Sequence, residues 1–167
     1  MKFLFLYSSP LIFQVEDYLK KSEYKWERVY TPKQDNYSWG KGIKPYFGDE
    51  DVIVYEQDKI IDDKLVSELI NTHRDYVNFP FYQHFTDNVK IVSMYYDKGT
   101  GLAKFSPKAQ KIIRDIDKVS WLTPNDTWIL NTLKQNGIEL YTIPVLIPHI
   151  HIKSRMDLPI AKKFDGY

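Results

Sequence analysis

Hydrophobic and polar positions along the chain change period in a way that marks strands and helices in alternation. Residues 2–7 form an apolar run that reads as a first buried strand. Ser9 with Pro10 then suits a helix start, Ser as a cap and Pro at the first helical position, and Leu11, Val15, Tyr18 and Leu19 supply the buried stripe. A short strand is expected near Glu27–Tyr30, followed by a polar, aromatic, Gly/Pro-rich loop from Thr31 to Gly48. Val52-Ile53-Val54-Tyr55 is a β-branched run of the kind buried in parallel sheets, and it stops at Glu56-Gln57-Asp58. Asp62 suits the cap of a helix whose face is Leu65, Val66, Leu69 and Ile70, whereas no regular period fits residues 74–87. Lys90–Tyr96 reads as a strand, and Ser106-Pro107 opens a helix with Ala109, Ile112, Ile113, Ile116 and Val119 on one side. A further helix starts at Thr123 and Pro124, buries Ile129, Leu130 and Leu133, and exits at Gly137. Ile138–Ile143 and Val145–Ile152 are expected strands. The alternation predicts one α/β domain over residues 1–152, a mostly parallel sheet with helices on both faces, and a tail over 153–167.

Composition narrows the function classes. A chain of 167 residues can bury one core without staples. Its 23 Lys+Arg against 22 Asp+Glu leave a net charge of +1, without the basic footprint of a duplex-binding protein, so no nucleic-acid partner is expected. The absence of cysteine rules out disulfide frameworks, zinc ribbons and thiol nucleophiles. The apolar start is too short for a signal-peptide core or a membrane span, and the expected location is the cytoplasm with no transmembrane segment. Neither G-x-G-x-x-G after the first strand nor G-x-x-x-x-G-K-[ST] occurs, which argues against nicotinamide enzymes and P-loop ATPases. The 13 Tyr, 9 Phe and 4 Trp suit core packing and platforms for flat ligands.

In parallel sheets ligands gather at the carboxyl ends of strands, which is where the acid-x-acid pair Glu56 and Asp58 falls. Alternation along the extended chain turns both carboxylates to one side, where they can share a Mg²⁺ or Mn²⁺ that also takes ligand phosphates; the alternative is a solvated turn. Tyr7 and Ser8 end the first strand and can meet a base and ribose, while Lys41 and Lys44 can meet phosphates. His149 and His151 share one side of an extended segment, a spacing compatible with metal binding. Trp121 and Tyr82 can stack on sugar faces or simply pack in the core. Two other classes remain open. One is a metal-dependent nuclease or phosphotransferase using Lys59 beside the acids; the other is a non-catalytic binding protein that keeps the fold.

Three blocks carry a family resemblance. Gly40-Lys41-Gly42-Ile43-Lys44 and the run from Gly48 through Val52-Ile53-Val54-Tyr55 to Glu56-Gln57-Asp58 resemble the basic loop, apolar strand and D-x-D motif of A-type-fold glycosyltransferases, with Glu as first acid. Gly99-Thr100-Gly101-Leu102-Ala103-Lys104-Phe105-Ser106 is similar to the Gly-rich segment that closes the sugar site in that family. Trp121-Leu122-Thr123-Pro124-Asn125-Asp126 and the helix to Gly137 are similar to its E-D motif, with Asn125 where Glu is commoner. The resemblance implies a Rossmann-like fold and a metal-dependent, inverting sugar transfer from a nucleotide-diphosphate donor to an unknown acceptor. It implies Asp58 as main metal ligand, and Glu56 acting through metal, water or ribose. His151, or His149, would be a further ligand, and Gly101, Trp121 and Asn125 would line the sugar-nucleotide site. Asp126 is implied as catalytic base, although Thr123-x-x-Asp126 also has the spacing of a capping box.

Overall fold

The computed structural model describes residues 1–8, 11, 13–31, 42–87, 90–96, 99–115 and 125–148, and only the backbone of 82–87, 90–96, 125 and 126. In chain order the elements are β1 Lys2–Tyr7, α1 Phe13–Lys21, β2 Glu27–Tyr30, a 3-10 turn Lys44–Tyr46, β3 Val52–Glu56 and α2 Asp63–Asn71. There follow β4 Tyr76–Asn78, β5 Phe81–Asp87, β6 Lys90–Tyr96, β7 Leu102–Phe105, α3 Pro107–Arg114, α4 Asn125–Gln135 and β8 Leu140–Thr142. Six strands form one sheet in the order β2-β1-β3-β7-β4-β8, while β5 and β6 pair as a separate antiparallel ribbon. Within the six, only β7 runs against its neighbours. The carboxyl ends of β1, β2, β3, β4 and β8 therefore share one edge, and the segment entering β7 lies at that edge too.

Strand alternation sorts the core into two layers. Leu4, Leu6, Val52, Val54, Ala103 and Phe105 face α3 and α4 through Ala109, Ile113, Ile129 and Leu133. Phe5, Ile53, Tyr55, Val77 and Leu102 face α1 and α2 through Val15, Val66 and Leu69. Val52, Ile53, Val54 and Tyr55 are all fully buried, and each such apolar side chain contributes about 1.5–3 kcal/mol by leaving water. Helices thus cover both faces of a mostly parallel sheet. Asp62 accepts from Leu65 N–H at 2.9 Å to cap α2, and Ser106 accepts from Ala109 N–H at 3.2 Å to cap α3.

Several expectations shift. The unperiodic stretch 74–87 contains β4 and β5, and Leu102–Phe105 of the Gly-rich block is a central antiparallel strand. The first expected carboxy-terminal strand is confined to Leu140–Thr142. Val145–Pro148 holds only an isolated bridge from Ile147 to Phe81, because Pro144 and Pro148 remove ladder donors. The α3 helix stops at Arg114; Ile116, Val119, Thr123, Pro124 and the tail lie outside the described residues. Among the described residues, no helix is long and apolar enough to cross a membrane.

Candidate active site

At the carboxyl edge β3 runs straight into the turn Glu56-Gln57-Asp58-Lys59, which several strands hold. Gln57 N–H donates to Leu6 O at 3.1 Å, Ser8 N–H donates to Gln57 Oε1 at 3.0 Å, and Gln57 Nε2 donates to Ser8 Oγ at 3.1 Å. Gln57 is nearly buried and ties the turn to β1. Glu56 N–H donates to Gly101 O at 2.8 Å, which ties it to the entry of β7, and Thr100 Oγ1 donates to Glu56 Oε1 at 3.4 Å. Ile60 N–H donates to Pro148 O at 3.0 Å, so the chain passes this turn just before His149.

Both carboxylates lie within ion-pair distance of one ammonium, that of Lys59. Its Nζ is 2.6 Å from Asp58 Oδ1 and 3.8 Å from Glu56 Oε2. The lysine side chain is 2% exposed, against 24% for Glu56 and 17% for Asp58. The ammonium also stands over the Phe81 ring, 4.6 Å from its centroid. Tyr55 hydroxyl donates to Lys59 O at 2.9 Å; burial, then the nearby Tyr18 and Asp58, pushes that phenol well above its usual range, so it stays protonated as a donor.

The other sequence-derived site residues divide as follows. Tyr7 is half-buried at the end of β1, its ring stacked on Phe5 at 6.0 Å and against the exposed Tyr30 at 5.4 Å. Ser8 is engaged with Gln57. Lys44 Nζ lies 3.5 Å from Arg114 O at the end of α3, where a cation is favoured by the helix's terminal carbonyls. Asn125 and Asp126 open α4, which leads through Gly137 into the amino end of β8 and so starts towards the carboxyl edge. Their side chains, together with Lys41, Trp121, His149 and His151, lie outside the described residues. Gln57, Thr100 and the buried state of Lys59 were not read from sequence; the available signal was a lysine directly following the acids, considered only for a nuclease-type site.

A divalent cation shared by Glu56 and Asp58 would have to compete for both carboxylates with the Lys59 ammonium already paired with them. As placed, the pair does not fit such an ion. Among the described residues there is also no group of three or more His, Asp or Glu side chains suited to a metal.

A cavity of about 490 Å³ lies at the opposite, amino edge, lined by Asp51, His73, Arg74, Asp75, Lys104 and Glu139. Its charges are internally paired: Arg74 with Glu139 at 2.9 Å, Lys104 with Asp51 at 3.8 Å, and Asp75 with the nearby Lys108 at 3.1 Å. A cavity among the described residues speaks for this edge; strand polarity and the gathering of segments favour the other, and the latter carries more weight because carboxyl ends are where such sheets bind ligands.

No known family's sequence profile matches the chain, and no curated protein sequence matches it. Solved structures do. A197 from STIV superposes with a TM-score of 0.57 at 14% identity, over 86% of this chain and 82% of that one. The inositol-1-phosphate CTP transferase from T. maritima gives 0.53 at 16% identity, over 90% and 69%. A provisionally named nucleotide-diphospho-sugar transferase from Desulfovibrio desulfuricans G20 gives 0.51 at 13% identity, over 89% of this chain and 61% of its own length. At these identities the likeness is one of fold alone: the chain shares its α/β architecture, a mostly parallel sheet between helices, with these proteins.

Proposed function

We propose that this chain is a transferase that takes a nucleotide-diphosphate sugar and moves the sugar to an acceptor hydroxyl with inversion. The observation that carries the reading is the gathering of Ser8, the Glu56–Lys59 turn, Thr100-Gly101 and Pro148 at one carboxyl edge. The fold supports it, since solved relatives of that fold bear the names of nucleotide-using transferases. Those names leave sugar transfer and nucleotidyl transfer as competing chemistries. Sugar transfer is the reading adopted, because the three sequence blocks at 40–58, 99–106 and 121–137 follow the order of the glycosyltransferase motifs they resemble.

In the proposed step the acceptor oxygen forms a bond to the anomeric carbon as the bond from that carbon to the diphosphate oxygen breaks. The electron pair leaves with the nucleoside diphosphate, and the acceptor proton passes to the Asp126 carboxylate. Tyr7 and Tyr30 offer an aromatic margin for the base, Lys41 a cation for the diphosphate, and Trp121 with Asn125 contacts for the sugar.

The test is to incubate the protein with a panel of UDP-, GDP- and ADP-sugars and to follow nucleotide release. Nucleoside diphosphate is the expected product, and Asp126→Asn should lower its release by ~10²- to 10⁴-fold while donor affinity and melting temperature hold. Pyrophosphate formed from a nucleoside triphosphate and a sugar phosphate, with no diphosphate release from any donor, would overturn the reading.

A further inference from the structure

We infer that Lys59 takes the position between Glu56 and Asp58 that a shared divalent cation would need, so that this edge works without an ion bridged by the pair. The inference deepens the nucleotide-sugar reading above and rests on it for its ligand. An ion shared by both carboxylates would sit about 2.0–2.1 Å from an oxygen of each. The gap already holds an ammonium 2.6 Å from one carboxylate and 3.8 Å from the other. Both cations cannot occupy it, since like charges at that separation repel strongly in a partly dry site.

Lys59 is also built in rather than draped over the acids. Its side chain is 2% exposed, its ammonium is backed by the Phe81 ring, and its carbonyl is held by the Tyr55 hydroxyl. Gly101 completes the housing. A Cβ there would stand 2.4 Å from Lys59 Cε and 2.7 Å from Nζ. Among the described residues only Gly137 has a positive φ, so the missing side chain at 101 serves the lysine and not an unusual backbone. Two chain positions far apart in sequence thus fit each other. With Lys59 in place the formal charge of the three groups is one negative instead of two.

The test is titration of Mn²⁺ alone, followed by the loss of its free-ion electron paramagnetic resonance signal, with wild type, Lys59→Met and Lys59→Arg. Thermal melting checks that each variant is folded. Wild type and the Arg variant should bind Mn²⁺ weakly, and the Met variant, with no ammonium beside the acids, should bind about tenfold tighter or more. Wild type binding as tightly as the Met variant overturns the inference, as does a folded Met variant with no gain. Should the Met variant fail to fold, wild type against Asp58→Asn decides: a Mn²⁺ site lost with Asp58 overturns the inference, and no Asp58-dependent site upholds it. If no nucleotide sugar binds, the proposed function fails while the Mn²⁺ titration still judges Lys59.

Discussion

Asp75 ties the loop after α2 to the start of α3. Ser106 Oγ donates to its Oδ1 at 2.7 Å while accepting from Ala109 N–H, and Lys108 Nζ lies 3.1 Å from Oδ2. The Ser106 hydrogen bond, with Lys108 helping and partial desolvation opposing, holds the carboxyl below its ordinary value of 3.8. Between the lowered folded value and the ordinary one, the unfolded chain binds more protons here than the native protein does. The contribution is therefore present above the ordinary value and lost as pH falls through the folded one. Asp75→Asn is expected to cost about 1 kcal/mol at pH 7, with the deficit shrinking as pH falls below the ordinary value of 3.8. Urea denaturation at pH 7, 5 and 3 checks this; a deficit unchanged at pH 3 would assign the effect to geometry instead of charge. Residues of this kind are poorly legible in sequence. The acid pair 56/58 was readable because a buried run ends on it. Lys59 was not, because its burial depends on Gly101, a partner no local pattern announces.

Helix ends are the most legible elements, since each cap is a side chain at a fixed offset. Asp62 and Ser106 are caps as their positions predict, and Gly137 closes α4 at φ +77° with Ile138 N–H donating to Leu133 O at 3.0 Å. Among the described residues, chain neighbours aside, no atom lies within 4 Å of where a Gly137 Cβ would be, so substitution there meets the backbone penalty. Gly137→Ala should destabilise by about 1–2 kcal/mol, and Gly137→Asn by less, because Asn tolerates the left-handed region. Comparing the two by thermal or urea unfolding isolates that term; equal losses would mean the site resists any side chain. The long apolar runs of β1 and β3 were equally legible. Strands β4 and β7 were not, being three and four residues long and buried on both faces, which erases alternation. In β7 the pattern is further broken by Lys104, almost fully buried and donating to Thr72 O near the end of α2. Strand β6 was readable as a strand, but its pairing with β5 outside the main sheet depends on a long-range register that periodicity does not carry.

For the whole molecule, the question is which edge of the sheet meets the ligand, because the two edges offer opposite arguments. They are separated by the five residues of β3, about 16 Å. The amino edge has the 490 Å³ cavity, but its cations are committed to Asp51 and Glu139, and Lys104 is lowered from its ordinary pKa by desolvation against a smaller opposing pull from Asp51. To the carboxyl edge the chain brings four separate segments and a buried lysine beside its two acids. Hydrogen exchange distinguishes the two directly, since a ligand that binds only the native state slows local opening where it sits. With a saturating nucleotide sugar, backbone amides at 56–60 and 99–101 should exchange more slowly, among them Glu56 N–H on Gly101 and Ile60 N–H on Pro148. Amides at 72–75 and 137–139, on the far edge, should keep their rates. Slowing confined to 72–75 and 137–139 would move the binding site to the amino-edge cavity, and the acid turn would then be a structural corner closed by Lys59.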